Sequence, residues 1–129
     1  YVTAYGSYIA PTLDEIEDSA FFKCSSLTEI TIPEGVTKIG TNAFYGCSQL
    51  TSITIPSTIK NMDAAFPSNP KLSQVTLTNG IYRISSSAFK DCTGLTEIKV
   101  PTSVYEICPG AFNGCTNLKR VILEKNIKN

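Results

Sequence analysis

One dipeptide recurs on a fixed beat. Ala-Phe stands at residues 20–21, 43–44, 65–66, 88–89 and 111–112, with successive offsets of 23, 22, 23 and 23. A leucine follows each pair at one distance: Leu27, Leu50, Leu72, Leu95 and Leu118. Then come Ile30, Ile53, Val75, Ile98 and Val121, and two residues later Ile32, Ile55, Leu77, Val100 and Leu123. Val36, Ile59, Ile81, Val104 and Ile127 fill the next column, followed by Ile39, Met62, Ile84 and Ile107. Cysteine occupies a further column at 24, 47, 92 and 115, with Asn69 in the third copy. A unit this short cannot bury a core alone. It must stack like on like, so that each column becomes a continuous buried ladder. The expected fold is a solenoid of about five coils, one domain over residues 1–129.

Each coil divides into an inner and an outer part. The segment Leu50-Thr51-Ser52-Ile53-Thr54-Ile55 alternates in its second half and carries β-branched residues, as a short strand with one buried face does. Pro33, Pro56 and Pro101 follow three of these strands, and proline, lacking a ladder donor, ends them. Stacked coils therefore place one short strand each in a parallel sheet, about 4.8 Å apart. The Ala-Phe segment follows capping residues (Ser19, Asn42, Ser87), and Gly46 and Gly114 stand where a left-handed exit from a helical turn suits glycine. Lys23 and Asp91 hold that place in other copies. Short helical turns or loops are expected there, at most one helical turn per coil, of α or 3₁₀ type. Phe21, Phe44, Phe66, Phe89 and Phe112 should stack as an aromatic spine. The third copy has lost a residue between Met62 and Ala65, and an irregularity is expected on its outer side.

The pattern Leu-x-x-Ile-x-Ile-Pro-x-x-Val-x-x-Ile-x-x-x-Ala-Phe-x-x-Cys, clearest from Leu27 to Cys47 and again from Leu95 to Cys115, resembles the BspA-type leucine-rich repeats. The resemblance covers roughly residues 9–127; the third copy departs from the pattern at Asn69, for cysteine, and at Thr78, for proline. It implies a right-handed leucine-rich-repeat solenoid, α/β leaning to mostly β, in a secreted or surface-anchored microbial protein. It implies no catalytic residues and no cofactor. Some members of that family are adhesins. At the start, Ile9, Leu13 and Ile16 fit the columns of Ile32, Val36 and Ile39, while Ala4 and Ser7 replace the expected Leu and Ile. Residues 1–16 read as a worn first coil or a cap, with Tyr1, Tyr5 and Tyr8 covering the core's end. No cap is visible after Ile127, so the last coil offers an edge for end-to-end self-association.

Composition removes several function classes. There is no histidine, so neither Ser-His-Asp nor Cys-His catalysis can be built, nor the common His-containing zinc sites. No Cys-x-x-Cys pair suggests a metal. The column cysteines read as small buried hydrophobes. Disulfides between neighbouring coils, Cys24–Cys47 or Cys92–Cys115, remain open, and Cys108 lies outside the column. Net charge is zero, but residues 1–64 carry seven acids against three bases and residues 65–129 four against eight, an acidic half and a basic half. This asymmetry can steer a charged partner but is too weak for nucleic acid. No apolar run approaches the roughly 18 residues of a membrane span. The polar Tyr1-Val2-Thr3-Ala4-Tyr5 start does not read as a signal peptide, and a leader removed earlier would leave the same start. The acids Asp14, Glu15, Glu17 and Asp18 could do general acid-base work, but read better as a solvated face.

Binding is therefore the expected role, to a protein or cell-surface macromolecule, with an extracellular or cell-surface location implied by the resemblance. The candidate surface is the strand face opposite the core: Glu29, Thr31, Ser52, Thr54, Gln74, Thr76, Glu97, Lys99, Arg120 and Ile122. It lacks aromatic anchors, which favours modest affinity multiplied over many coils. Tyr8, Tyr82 and Tyr105 offer a second, more adhesive surface if exposed. A structural spacer that displays another domain is the alternative reading.

Overall fold

The computed structural model describes residues 4–5, 8–9 and 14–124. The core columns set the architecture: a parallel β-solenoid of about five turns, with no helix among the described residues. On the inner side, β4 (Glu29–Thr31), β6 (Ser52–Ile55) and β8 (Gln74–Leu77) form one parallel sheet. β10 (Glu97–Val100) and β12 (Arg120–Leu123) form another. The register joins equivalent repeat positions, Ile30 to Ile53 to Val75, and Ile98 to Val121. A second ladder runs along the edge, where β3 (Glu15–Ile16) pairs with β5 (Lys38–Ile39), and β9 (Arg83–Ile84) lies between β7 (Asn61–Met62) and β11 (Glu106–Ile107). Between the ladders the chain turns where proline stops the strand: Val36 N–H donates to Pro33 O at 3.3 Å, and Ile59 N–H to Pro56 O at 3.2 Å.

The first residues depart from the repeat. β1 (Ala4–Tyr5) and β2 (Tyr8–Ile9) form an antiparallel pair, with β2 lying beside β4. Ile16 keeps its expected place, fully buried and in register with Ile39. Leu13, Ser7 and Tyr1 lie outside the described residues.

The outer segment is a run of tight turns, the loop form of the short helical turns or loops expected there. The reason is the backbone. Ser19, Asn42, Ser87 and Gly110, each just before the alanine, have φ of 56°, 57°, 64° and 79°. Four residues later Lys23, Gly46, Asp91 and Gly114 repeat this at 55°, 66°, 60° and 80°. Left-handed residues at both ends of a five-residue segment prevent helix propagation. They also sort the amides. Ala20, Phe22 and Cys24 donate locally, three residues back, whereas Ser19, Phe21 and Lys23 donate to Thr41, Ala43 and Tyr45 of the next coil at 2.7–3.0 Å. The shortened third coil shows its deletion here. Ala43 and Ala88 close four-residue turns on Gly40 and Ser85, but Ala65 N–H bonds Asp63 O, two residues back, at 2.7 Å.

Inside these turns the phenylalanine spine forms as expected. Ring centroids from Phe21 through Phe112 are 5.1, 5.3, 5.7 and 5.7 Å apart, with planes within 10° of parallel. The cysteine column supports it: Cys47, Cys92 and Cys115 thiols donate to the carbonyls of Phe21, Phe66 and Phe89 at 3.2, 3.2 and 3.0 Å. Asn69, fully buried in the same column, substitutes for the thiol. Its Nδ2 donates to Phe44 O at 2.9 Å and Phe66 O at 2.8 Å, and its Oδ1 accepts the Cys47 N–H at 2.8 Å.

One interruption breaks the inner sheet. No ladder pairing joins β8 to β10, although β7, β9 and β11 are continuous along the edge of the same coils.

Two stability outcomes follow. Phe89→Ala, which empties a fully buried place between two stacked rings, should cost about 3–5 kcal/mol in denaturant melts; a melt near wild type would contradict the spine. Asn69→Ala strands a buried amide and carbonyls, and should cost about 2–4 kcal/mol, more than Asn69→Cys. Equal losses would show that the amide network adds nothing to the column.

Candidate functional site

All ten residues expected on the binding face lie on the inner strands, alternating with core positions. Glu29, Thr31, Gln74, Thr76, Lys99 and Arg120 are exposed, and Ser52, Thr54, Glu97 and Ile122 partly so. Register aligns Thr31, Thr54 and Thr76 across three strands, and Glu97 with Arg120 across two. The side chains of Glu97, Lys99 and Arg120 form no hydrogen bond or ion pair among the described residues. The face is a shallow polar surface except at the sheet interruption. There an open cavity of about 590 Å³ lies between β8 and β10, bordered by Gln74, Val75, Thr76, Glu97, Lys99 and Glu124.

The tyrosine edge is also formed. Tyr82 and Tyr105 are 44% and 73% exposed, with ring centroids 6.2 Å apart and tilted by 30°. The Lys60 ammonium sits 5.4 Å from the Tyr82 centroid, and beside them Arg83 Nε meets Glu106 Oε1 at 2.9 Å. The Tyr8 side chain lies outside the described structure. A second exposed aromatic pair was missed in the sequence. Phe22, 45% exposed, stacks on Tyr45 at 5.0 Å, with Lys23 Nζ 5.5 Å from the Phe22 centroid. The signal was available, since both residues directly follow a spine phenylalanine, but Pro67, Lys90 and Asn113 hold that column in the later copies.

Asp14, Glu15, Glu17 and Asp18 are solvent-exposed, and Asp18 Oδ1 is already engaged by the Thr41 N–H at 2.9 Å. A smaller cleft of about 300 Å³ lies among Glu15, Glu17, Asp18 and Lys38. All five cysteines are free thiols, so neither pairing left open by the sequence is formed. Burial pushes the Cys47 thiol up to about 11 and that of Cys92 up to about 12, and also raises Cys115. Protonated and carbonyl-bonded, these thiols are poor nucleophiles at neutral pH.

The repeat pattern described as the BspA type leucine rich repeat region matches residues 14–129 in six copies. Three solved structures are similar to this chain. A leucine rich cell surface protein from Faecalibacterium prausnitzii is 32% identical with a TM-score of 0.83, over 88% of this chain and 30% of its own. A leucine-rich repeat protein from Bacteroides ovatus is 34% identical with a TM-score of 0.77, over 95% and 32%. A leucine rich repeat protein from T. pallidum is 29% identical with a TM-score of 0.75, over 83% and 50%. The chain thus spans a third to a half of the length of these proteins. No protein with a curated functional description matches it in sequence.

The cysteine column carries its own pH dependence. A thiol whose pKa is raised on folding stabilises the fold below its unfolded value, near the ordinary 9.0, and loses that contribution as pH rises through the folded value. Stability should therefore fall above pH 9 and continue falling to about 11–12, with native alkylation of Cys47 and Cys92 slow below that window. Mass spectrometry after iodoacetamide treatment, native against unfolded, reads this directly. Rapid native labelling of Cys92 at pH 8 would contradict the buried column.

Proposed function

The chain belongs to the BspA-type leucine-rich-repeat family, and from that we infer that it is a protein-binding module of a bacterial cell-surface or secreted protein. The observation that carries this reading is the inner face. Its polar side chains stand in register on a rigid sheet, and the side chains of Glu97, Lys99 and Arg120 form no hydrogen bond or ion pair among the described residues. A backbone already held by stacking loses little conformational entropy when a partner arrives, which favours binding. The cell-surface description of the Faecalibacterium prausnitzii protein supports an extracellular or surface location, with adhesion as the finer reading. No helix among the described residues is long and apolar enough to cross a membrane. The face offers no buried acid-base pair or activated nucleophile, which favours recognition over catalysis. β12 carries exposed Val121 and Leu123, an edge that fits a further coil, whether of a longer array or of another copy.

A test uses arrays of extracellular-matrix proteins and intact host and bacterial cells, probed with the labelled chain. Glu97→Ala, Lys99→Ala and Arg120→Ala combined should weaken capture by about tenfold or more and lessen its salt sensitivity, while Lys90→Ala on the outer side leaves it unchanged. Unchanged capture by the triple variant would move the site off the inner face.

A further inference from the structure

Of the chain's asparagines, only Asn79 and Asn113 precede a glycine. In such a pair the glycine nitrogen can attack the side-chain amide carbon of the asparagine, because glycine has no Cβ to hinder the approach. Both asparagines are exposed, so solvent access does not distinguish them. Their bonding does. Asn79 Oδ1 accepts the Thr102 hydroxyl and the Ser103 N–H, each at 3.2 Å. The Ser103 hydroxyl accepts the Gly80 N–H at 2.8 Å and donates to Ile81 O at 2.7 Å. Ser103 thus holds both reacting groups of the first pair, the side-chain amide and the attacking nitrogen. At the second pair neither is held. The Asn113 side chain and the Gly114 N–H form no hydrogen bond among the described residues.

We propose that Asn113 is a site of spontaneous deamidation, with water as the only co-reactant, and that its conversion loosens the fifth coil from the fourth. The Gly114 nitrogen forms a bond to the Asn113 side-chain carbonyl carbon. The bond from that carbon to the side-chain nitrogen breaks, and ammonia leaves with the proton that Gly114 gives up. Water then opens the five-membered imide at either carbonyl. One opening leaves aspartate. The other leaves isoaspartate, with one more carbon in the main chain. Both products put a new carboxylate in the outer turn. Asp91 is already there: its carboxylate lies where a Cβ on Gly114 would stand, and its N–H donates to Asn113 O at 2.7 Å. A second negative charge beside it is repulsive. The isoaspartate product also lengthens the turn, which Asn113 N–H closes on Gly110 O at 3.1 Å. Asn79 is spared because Ser103 must release it first.

The inference is independent of the inner-face reading, since Asn113 lies on an outer turn. The full chain is incubated in mildly alkaline buffer, folded and, separately, unfolded in guanidinium chloride. Peptide mapping by mass spectrometry follows the mass gain at each asparagine, and an isoaspartyl methyltransferase labels the isoaspartate product. In the folded chain Asn113 should convert at least about tenfold faster than Asn79, and in the unfolded chain the two should agree within about threefold. Ser103→Ala should speed Asn79 in the folded chain by at least about tenfold and leave Asn113 unchanged. After conversion the Asp91 amide should exchange at least about tenfold faster than before, while that of Phe66 is unchanged. The proposal is overturned if folded Asn113 converts no faster than folded Asn79, or if folding slows Asn113 by more than about tenfold. It is overturned as well if Ser103→Ala leaves Asn79 as slow as before, or if conversion leaves Asp91 exchange as it was.

Discussion

The rest of this structure depends on how the outer turns dispose of their amides. A single coil has no internal sheet and too little apolar surface to hold its shape. It gains both when Ser19, Phe21 and Lys23 direct their N–H groups at the following coil while the residues between them bond locally. That sorting needs a left-handed residue at each end of the turn, and it fixes the distance between coils. The phenylalanines must then stack at 5.1–5.7 Å with nearly parallel planes, because they ride on backbones already held at strand spacing. Stacking of rings is a consequence of the hydrogen-bonded rise as much as a cause of it.

The cysteine column shows how a buried position can be filled in two chemically different ways. A thiol gives one weak bond to the phenylalanine carbonyl of the previous coil and otherwise behaves as an apolar filler. Asn69 makes that bond and two more, and so ties the shortened third coil to the second through both Phe44 and Cys47. An amide this deeply buried is tolerated because each of its polar atoms finds a partner. The departure from the repeat at this position is thus a replacement of one donor by a stronger network, not an erosion of the pattern.

Most of the fold was legible because burial leaves a periodic trace. The Ala-Phe beat located the turns, the Ile-x-Ile columns located the inner strands, and the offset of 22 located the coil with the irregular outer turn. What could not be read is what the backbone does where side chains carry no signal. Gly46 and Gly114 hinted at left-handed residues, but Lys23, Ser68 and Asp91 adopt the same conformation with φ of 55°, 62° and 60°. Stacking enforces it against their intrinsic preference. The outer segment therefore takes the loop form and builds no helix. The candidate face was legible as a set of alternate positions. The interruption between β8 and β10 was not, since Gln74–Leu77 and Glu97–Val100 look as strand-like as their neighbours.

A solenoid built this way separates stability from recognition by direction. Inward positions answer to ladders that run through every coil, so a change at one is felt by the coils on both sides. Outward positions on the same strands are freer: the side chains of Glu97, Lys99 and Arg120 bond nothing among the described residues. Selectivity can therefore come from outward chemistry or from a local loss of regularity. Here the lost residue near Ala65, the Asn69 network and the opened β8 strand all belong to the third coil. Its outer turn stays bonded to both neighbours while its inner strand is bonded to one. A deviation of that kind leaves the ladder's energy largely intact, because most columns still stack.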